Sequence, residues 1–363
     1  MNKKSLMCQP SNQVSKNEIR ELLKGFLEEG EEDSFEWESI TTKNGLSHNW
    51  IYDLFQDSTG RIWVGTWGGG ACMLENGKWH TFQSRDGLLS SAATCIREDC
   101  HGEIWVATDS GLNRFDGKRF IEAGLHGKSL LNITFDRKGN LWAGCWRSHL
   151  TGGGVFKYDG SRWVAFSTST GLPGLEILKI FEDSRGYIWI GTYERGAGAG
   201  VSYYDGAKWN SFNRSNGLIN DCVYSMFEDP EENMWFGTVG GISIYDRKQW
   251  HRITSMDGLV DDRVYCMIID SKKKMWFGTE GGVSRFDGAD WKSFTKQDGL
   301  SENLVRTILE DRDGHLWFGN YPYEPGKGGI SIARRKQDSL KLEDRLSKYL
   351  PSQFSQKALP KKE

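Results

Sequence analysis

The sequence predicts an all-β protein, a seven-bladed β-propeller with four antiparallel strands in each blade. A tryptophan recurs seven times at intervals of 37 to 47 residues, and each copy has an aspartate six residues before it. A Gly-Leu pair begins twelve residues before each aspartate, so its Gly and the Trp are always 18 positions apart and all variation in length falls outside this stretch. The tryptophans are Trp63, Trp105, Trp142, Trp189, Trp235, Trp276 and Trp317. Repeats of about 40 residues made of short strands are typical of propeller blades.

Within one repeat the four strands, A to D, can be read from the apolar runs. In the sixth repeat these runs cover 264–269, 274–279 and 283–286, and a fourth begins at Trp291. Each run is short, rich in β-branched and aromatic residues, and bounded by Gly, Asp, Asn or Ser. The Asp and Gly residues between strands A and B favour a tight turn. We interpret the repeated tryptophans as packing between blades, with sugar or base platforms as the alternative.

The strand count predicts how the ring closes. Strand D begins with an aromatic residue in every repeat, and its first copy, at Trp37, precedes the first strand A. The last strand C, at 329–333, has no strand D after it. We therefore expect the strand at 37–40 to complete the last blade, which leaves no long free edge.

Two flanking segments lie outside the predicted propeller, which occupies residues 35–335. Residues 1–34 are expected to be a leader with an amphipathic helix at 14–30, where Ser15 and Glu18 form a capping box. Its apolar face either docks on the propeller or binds a partner. Residues 336–363 are expected to be a short helix and a tail, because Leu342 and Leu346 recur at helical spacing.

Composition and charge exclude several classes of function. A net charge of −3 and an isoelectric point near 6.2 provide no basic field for nucleic acid. No apolar run reaches the length of a membrane span, and the start, MNKKSLMCQP, lacks the apolar core of a signal peptide. We therefore expect a cytoplasmic monomer, or a periplasmic one if the true start lies upstream. The seven Cys include no CxxC pair and the seven His have no metal-ligand spacing, so no cofactor and no metal site are expected.

The candidate site lies in the longer B–C connections. Blades 3, 4 and 7 carry extra residues there, in the segments CWRSHLTGGG, TYERGAGAG and NYPYEPGKGG. Antiparallel strands put the B–C and D–A connections on one face, and blade 7 lies opposite the junction of blades 3 and 4. The three loops should therefore meet across the mouth of the channel. The candidate ligand-binding or partner-binding residues are Trp67, Trp146, Arg147, His149, Tyr193, Glu194, Arg195, Tyr321, Tyr323, Glu324 and Lys327.

The contents of these loops favour binding over catalysis. Aromatic and arginine side chains among glycines are typical of contact surfaces. The D–A loops add Asn49, Asp221, Asp262 and Asn303, which are either further contacts or turn formers. An enzyme, a lyase or hydrolase acting in the same cleft, remains the alternative, but no catalytic residue is assigned because no nucleophile motif or phosphate loop is present.

The repeat resembles the two-component regulator propeller repeat over about residues 37–334. The shared motif, GLxxNxVxxIxEDxxGxxWxGTxxGG followed by an apolar residue and SxFDG, is visible at 299–319 and 278–288. The resemblance implies a ligand-sensing propeller of the kind found in periplasmic parts of hybrid histidine kinases, which recognise a small molecule, often saccharide-like, or a protein. The architecture is also similar to the virginiamycin B lyase type of propeller, which keeps the enzyme alternative open. The sequence thus predicts a non-catalytic binding or sensor module for a protein, a peptide or a small ligand.

Overall fold

In the computed structural model, seven four-stranded antiparallel sheets lie as blades around a central channel. The structure describes residues 12–13, 34–146, 152–193, 199–322, 324 and 326–335. The predicted seven-bladed propeller is therefore confirmed. The helices predicted at 14–30 and near the C terminus lie outside the described residues.

The strands of each blade follow one another in the order A to D from the channel outward. Blade 1 contains Ile51–Gln56, Ile62–Thr66, Ala71–Glu75 and Lys78–Phe82. Blade 2 contains Ala93–Glu98, Ile104–Thr108, Gly111–Phe115 and Phe120–Gly124. Blade 3 contains Leu130–Phe135, Leu141–Cys145, Val155–Tyr158 and Trp163–Phe166. Blade 4 contains Ile177–Glu182, Ile188–Thr192, Val201–Tyr204 and Trp209–Phe212. Blade 5 contains Val223–Glu228, Met234–Thr238, Gly241–Tyr245 and Trp250–Ile253. Blade 6 contains Val264–Ile269, Met275–Thr279, Val283–Phe286 and Trp291–Phe294.

Blade 7 joins the two ends of the described chain. Its strands A to C are Val305–Glu310, Leu316–Asn320 and Gly329–Arg335, and its strand D is Phe35–Ile40. The last two strands pair over six residues, from Phe35 opposite Arg335 to Ile40 opposite Ile330. The closure predicted from the strand count is confirmed. A two-residue strand, Asn12–Gln13, also pairs in parallel with the outer strand of blade 5.

Five of the seven Gly-Leu pairs follow short 3-10 turns in the D–A connections. These turns are Thr42–Asn44, Ser84–Asp86, Thr168–Thr170, Arg214–Asn216 and Ser255–Asp257. At the first turn Gly45 has a φ of 112°, which a side chain would strain, and Leu46 is buried beneath it. Asn49, Asp221, Asp262 and Asn303 each accept the backbone N–H of the residue seven positions earlier, so they act as turn formers.

The repeated aspartate and tryptophan of each blade form one hydrogen-bonded unit. The indole N–H of the tryptophan donates to Oδ2 of the aspartate six residues earlier in all seven blades, at 2.7 to 3.0 Å. The other oxygen, Oδ1, accepts backbone N–H groups of the A–B turn, as Asp57 does from Thr59 and Arg61. The aspartate therefore fixes both the turn and the ring that packs between blades.

The core is divided among the interfaces between blades. Seven clusters of buried side chains each join two neighbouring blades, including the pair formed by blades 7 and 1. Trp63 of blade 1, for example, packs with Ile96 and Phe120 of blade 2. This confirms the packing role predicted for the repeated tryptophans. An eighth, smaller cluster lies elsewhere, at the end of the channel.

Candidate functional site

A β-bulge at the start of every strand A supplies the side chains around the channel. In each blade the register between strands A and B shifts after the first residue of strand A, so that the second residue has no partner on strand B. Bulges commonly redirect a side chain in this way. The seven bulge residues are Tyr52, Thr94, Leu131, Leu178, Tyr224, Tyr265 and Arg306, and all of them line the central cavity of about 250 Å³.

Aromatic side chains gather at the end of this channel on the face of the B–C and D–A loops. We call them the aromatic mouth, which consists of Tyr52, Trp67, Trp146, Tyr193, Tyr224 and Tyr321 around Leu131 and Leu178. Trp67 stacks on Tyr52 with ring centroids 5.1 Å apart, and Tyr321 meets Tyr52 edge-on at the same distance. Trp146 of blade 3 lies edge-on to Trp67 of blade 1 at 6.1 Å.

The structure brings together four of the predicted site residues. Each is the first residue after strand B of its blade, and they come from blades 1, 3, 4 and 7; they are Trp67, Trp146, Tyr193 and Tyr321. All four are half-buried, so each keeps part of its ring accessible. These four residues therefore lie in one cluster at the end of the channel, and their role in binding stays a prediction.

Two other predicted residues lie in a separate groove beside the mouth. Lys327 and Glu324 form an exposed ion pair at 2.5 Å. They line a second cavity of about 240 Å³ together with Glu280 and Glu302. Exposed pairs of this kind contribute little to stability. The remaining predicted site residues, Arg147, His149, Glu194, Arg195 and Tyr323, lie outside the described residues.

Arg306 is a site residue that the sequence patterns did not indicate. Its guanidinium lies 4.3 Å from the ring centre of Tyr52 and 5.8 Å from that of Tyr321. Such contacts between a cation and an aromatic face are favourable and leave the N–H groups able to bind elsewhere. The signal available in the sequence is a charged residue at a strand A position that holds Tyr, Thr or Leu in the other blades.

Deeper in the channel the lining is polar. Asp53 accepts the backbone N–H of Ile96 and the guanidinium of Arg97, both at 2.7 Å. Lys179 lines the channel opposite, and burial together with the positive charge of Arg97 lowers the pKa of its ammonium. Asp53 and Lys179 are each the third residue of their strand A. Arg306 is the second residue of its strand A, so it lies nearer the mouth.

The channel cysteines have the properties of packed residues. Burial raises the pKa of Cys95 to about 11 and that of Cys266 to about 12. Both thiols therefore stay protonated at neutral pH, whereas a nucleophilic cysteine needs a thiolate. Within the described part of the chain, no group of three His, Cys, Asp or Glu side chains is arranged to hold a metal ion. Among the described helices, none has the length and apolar character to cross a membrane.

Five stretches match the family model described as "Two component regulator propeller", at residues 45–68, 171–194, 217–240, 258–281 and 299–321. They fall in blades 1, 4, 5, 6 and 7, and each runs from the Gly-Leu pair through strand B. The repeat type predicted from the motif is therefore confirmed. No curated protein matches the sequence.

Among solved structures, two similar ones come from B. thetaiotaomicron. One is the extracellular domain of a protein assigned to a one-component system, with 20% identity, a TM-score of 0.67, and coverage of 82% of this chain and 40% of that chain. The other is the extracellular domain of a protein assigned to a hybrid two-component system, with 28% identity, a TM-score of 0.58, and coverage of 76% and 38%. This chain thus spans about two fifths of each relative. Both are extracellular domains, so the expected cytoplasmic location gains no support from them.

Virginiamycin B lyase from Staphylococcus aureus has the same fold over nearly its whole length. The identity is 12% and the TM-score 0.62, with coverage of 83% of this chain and 99% of the lyase. At this identity the likeness is one of fold alone, and it transfers no catalytic residue to this chain.

Proposed function

We propose that this protein, which is built from two-component regulator propeller repeats, is a non-catalytic binding module whose ligand enters the aromatic mouth. The observation that carries the proposal is the convergence of half-buried rings from five blades above a central channel of about 250 Å³. Flat, rigid rings supply contact area at little entropic cost, and five of the six residues of the mouth are only half-buried.

The size of the channel indicates what can enter it. Pockets for drug-sized ligands usually enclose roughly 300 to 1,000 Å³, so this channel accepts a smaller group. A small molecule fits this description, and so does a side chain or chain end that projects from a partner protein or peptide. The rigid propeller holds the mouth in place, which suits recognition by a preformed site.

We further propose a sensing role outside the cytoplasm. The two B. thetaiotaomicron relatives are extracellular domains of proteins assigned to signalling systems, which supports this setting. Because this chain spans only about two fifths of each relative, the output of such a sensor belongs to the proposal and rests on the shared repeat.

The test is a binding screen followed by substitutions at the mouth. Saccharides, organic acids and short peptides are first screened for their effect on the melting temperature, and hits are then titrated calorimetrically. We expect Trp67→Ala and Tyr321→Ala each to weaken the binding of a hit by at least about tenfold, equivalent to ~1.4 kcal/mol. Met256→Ala is the matched control, because Met256 is 85% exposed on a D–A loop of the same face.

The contrast between these variants decides the proposal. Ligands that bind both mouth variants as tightly as the wild type would place recognition elsewhere on the protein. Loss of binding in Met256→Ala with the mouth variants unaffected would move the site to the periphery of the loop face.

A further inference from the structure

The strongest unexplained group in the molecule is Lys179, in strand A of blade 4. Lys179 lines the central cavity together with Asp53 of blade 1, Arg97 and Cys95 of blade 2 and Cys266 of blade 6. These four residues lie on three other blades, so Lys179 shares the channel lining with residues from across the ring. Strand A otherwise supplies smaller groups at this position, such as Ser225 of blade 5 and Thr307 of blade 7.

Lys179 lacks the partner that a cation in an enclosed site normally has. Arg97 is paired with Asp53 at 2.7 Å, whereas no hydrogen bond or ion pair joins Lys179 to any residue in the described ranges. The carboxylate of Asp53 already accepts from Arg97 and from the backbone N–H of Ile96. Enclosing a charge without a partner is costly, which agrees with the lowered pKa of Lys179.

The charges that line the channel do not balance. The lining contains three permanent or titratable cations, Arg97, Lys179 and Arg306, against the single carboxylate of Asp53, which leaves a formal charge of 3 − 1 = +2. Arg306 and Lys179 line the same cavity as Cys266. Arg306 lies over the rings of Tyr52 and Tyr321, and no carboxylate in the described part of the chain forms an ion pair with it.

We propose that Lys179 and Arg306 together bind a carboxylate carried by the ligand. The inference deepens the proposed function, on which it rests, because the body of that ligand would lie in the aromatic mouth. Arginine presents two parallel N–H groups to a carboxylate, and lysine adds a point charge from below. An organic anion is favoured over a bare inorganic one, because tyrosine rings surround the approach to both cations. The carboxylate belongs either to a small molecule or to the C terminus of a peptide.

The test uses matched charged and neutral probes. Sodium benzoate is compared with benzamide, and a tripeptide ending in tyrosine with a free C terminus is compared with its amidated form. Affinities are measured by calorimetry. The pKa of Lys179 is followed through the ¹³C-labelled side-chain signal that is missing from Lys179→Met. Sodium sulfate serves as the inorganic anion.

The expected result separates the charged probes from the neutral ones. Binding of a carboxylate should raise the pKa of Lys179 toward its ordinary value of 10.5, and affinity should fall as the pH rises through that pKa. Lys179→Met should weaken binding by roughly 10- to 100-fold, the range expected for a hydrogen bond to a charged group. Lys179→Arg should retain most of the affinity, because it keeps the charge.

Stability provides a second readout. Lys179→Met removes an enclosed charge that has no partner, so its melting temperature should equal or exceed that of the wild type. Lys208→Met is the matched control, since Lys208 is exposed at the C–D turn of the same blade, on the opposite face. It should change neither binding nor the Lys179 signal. The pair of free and amidated peptides then shows whether a chain end or only a small acid is accepted.

Three outcomes would overturn the inference. Equal binding of benzoate to the wild type and Lys179→Met would remove Lys179 from the site. If the Lys179 signal responded to sulfate but to neither organic carboxylate, the site would bind an adventitious ion only. If benzamide bound as tightly as benzoate and lost affinity in Trp67→Ala, the anion subsite would be ruled out while binding at the aromatic mouth would be supported. Benzoate binding that depends on Lys179 but not on Trp67 would support the subsite and contradict the mouth.

Discussion

The bond between Asp229 and Trp235 shows how one blade uses a buried carboxylate. The oxygens of Asp229 accept from the backbone of Asn233, from its side-chain amide and from the indole N–H of Trp235. Trp235 is fully buried, whereas Asp229 is 3% exposed, so water cannot replace a lost donor. Burying a polar group costs free energy unless it is paired, which makes this bond more important than an exposed one.

Replacing Trp235 by phenylalanine should therefore destabilise the protein. The change keeps an aromatic ring but removes the indole N–H, leaving Oδ2 of Asp229 short of a donor. We expect a loss of about 1–3 kcal/mol in the free energy of unfolding. Chemical denaturation of the two proteins measures it.

Trp250 of the same blade is the matched control. It is 5% exposed, and its indole nitrogen has no hydrogen-bond partner among the described residues. Trp250→Phe should cost little or even stabilise, since it removes a buried donor that is not satisfied. Equal losses in the two variants would mean that ring volume, and not the hydrogen bond, accounts for the effect.

The turn aspartates differ in their acidity. Burial raises the pKa of Asp57, but hydrogen bonds from Thr59, Trp63 and Arg61 outweigh it, so the pKa lies below the usual 3.8. At Asp229 the burial effect is larger than the effect of its hydrogen bonds from Trp235 and Asn233, and the pKa lies above 3.8. Asp136 has the same kinds of partner as Asp229, Trp142 and Asn140, yet its pKa is lowered, so the larger burial effect at Asp229 accounts for the difference.

The two carboxylates should therefore respond to acid with opposite signs. Asp57 stabilises the folded state above pH 3.8, and that contribution is lost as the pH falls through its lower folded pKa. Asp229 costs stability at neutral pH, and the cost is relieved as the pH falls from its raised pKa toward 3.8. The indole N–H signals of Trp63 and Trp235, followed by NMR, should titrate below and above pH 3.8 respectively. A common midpoint would contradict the assignment.

Strand B depends on a glycine where neighbouring blades approach. A Cβ at Gly65 would lie 2.7 Å from the carbonyl oxygen of Ala93 in the next blade, closer than real Cβ atoms come. Blade 2 has Ala107 at the corresponding position, so the approach there is wide enough for a methyl group. The sequence motif shows the glycine, but only the structure shows that it sets the distance between blades.

Gly65→Ala should accordingly destabilise the interface between blades 1 and 2. Because the contact is with backbone, one blade must shift, and overpacking of this kind costs about 1–3 kcal/mol. Thermal and chemical unfolding measure the loss. Ala107→Gly is the comparison, with an expected cost of only about 0.5–1 kcal/mol from the added chain freedom. A larger loss in Ala107→Gly than in Gly65→Ala would contradict the steric explanation.

The strands and their order could be predicted because every repeat carries the same spacing. The channel lining could not, because it depends on the bulge at the start of strand A. A bulge changes which side chain faces the channel without changing the residue pattern, so Tyr52 and Arg306 looked like ordinary strand residues. Lys179 was missed for a different reason, since the other charged residues that line the channel, Asp53, Arg97 and Arg306, come from blades that lie far away in sequence.

At the scale of the whole molecule, ring geometry gathers residues that are distant in sequence. Trp67 and Tyr321 are separated by six repeats but both contact Tyr52, because blade 7 lies beside blade 1. Counting the blades was enough to predict that these loops share one face. The side-chain packing within the mouth was not predictable, since it depends on distances between blades that no local pattern contains.

Ring closure offers the test at this scale. A chain that begins at residue 41 lacks strand D of blade 7, and with it Trp37, which packs against Phe294 and Phe318. Losing that tryptophan alone should cost about 3–5 kcal/mol. The edge of strand C, Gly329–Arg335, would also be exposed, and free edges promote association between chains. We therefore expect a lower melting temperature and oligomers in light scattering.

The matched control is a chain that begins at residue 34. It keeps all six pairs between Phe35–Ile40 and Gly329–Arg335 and, among the described residues, loses only the two-residue strand Asn12–Gln13 on blade 5. Its melting temperature should stay close to that of the full chain, because a two-residue pairing at an outer edge buries little. If the two truncated chains had the same melting temperature, the closing strand would contribute no more to stability than the leader. The ring would then be held by the interfaces between blades alone.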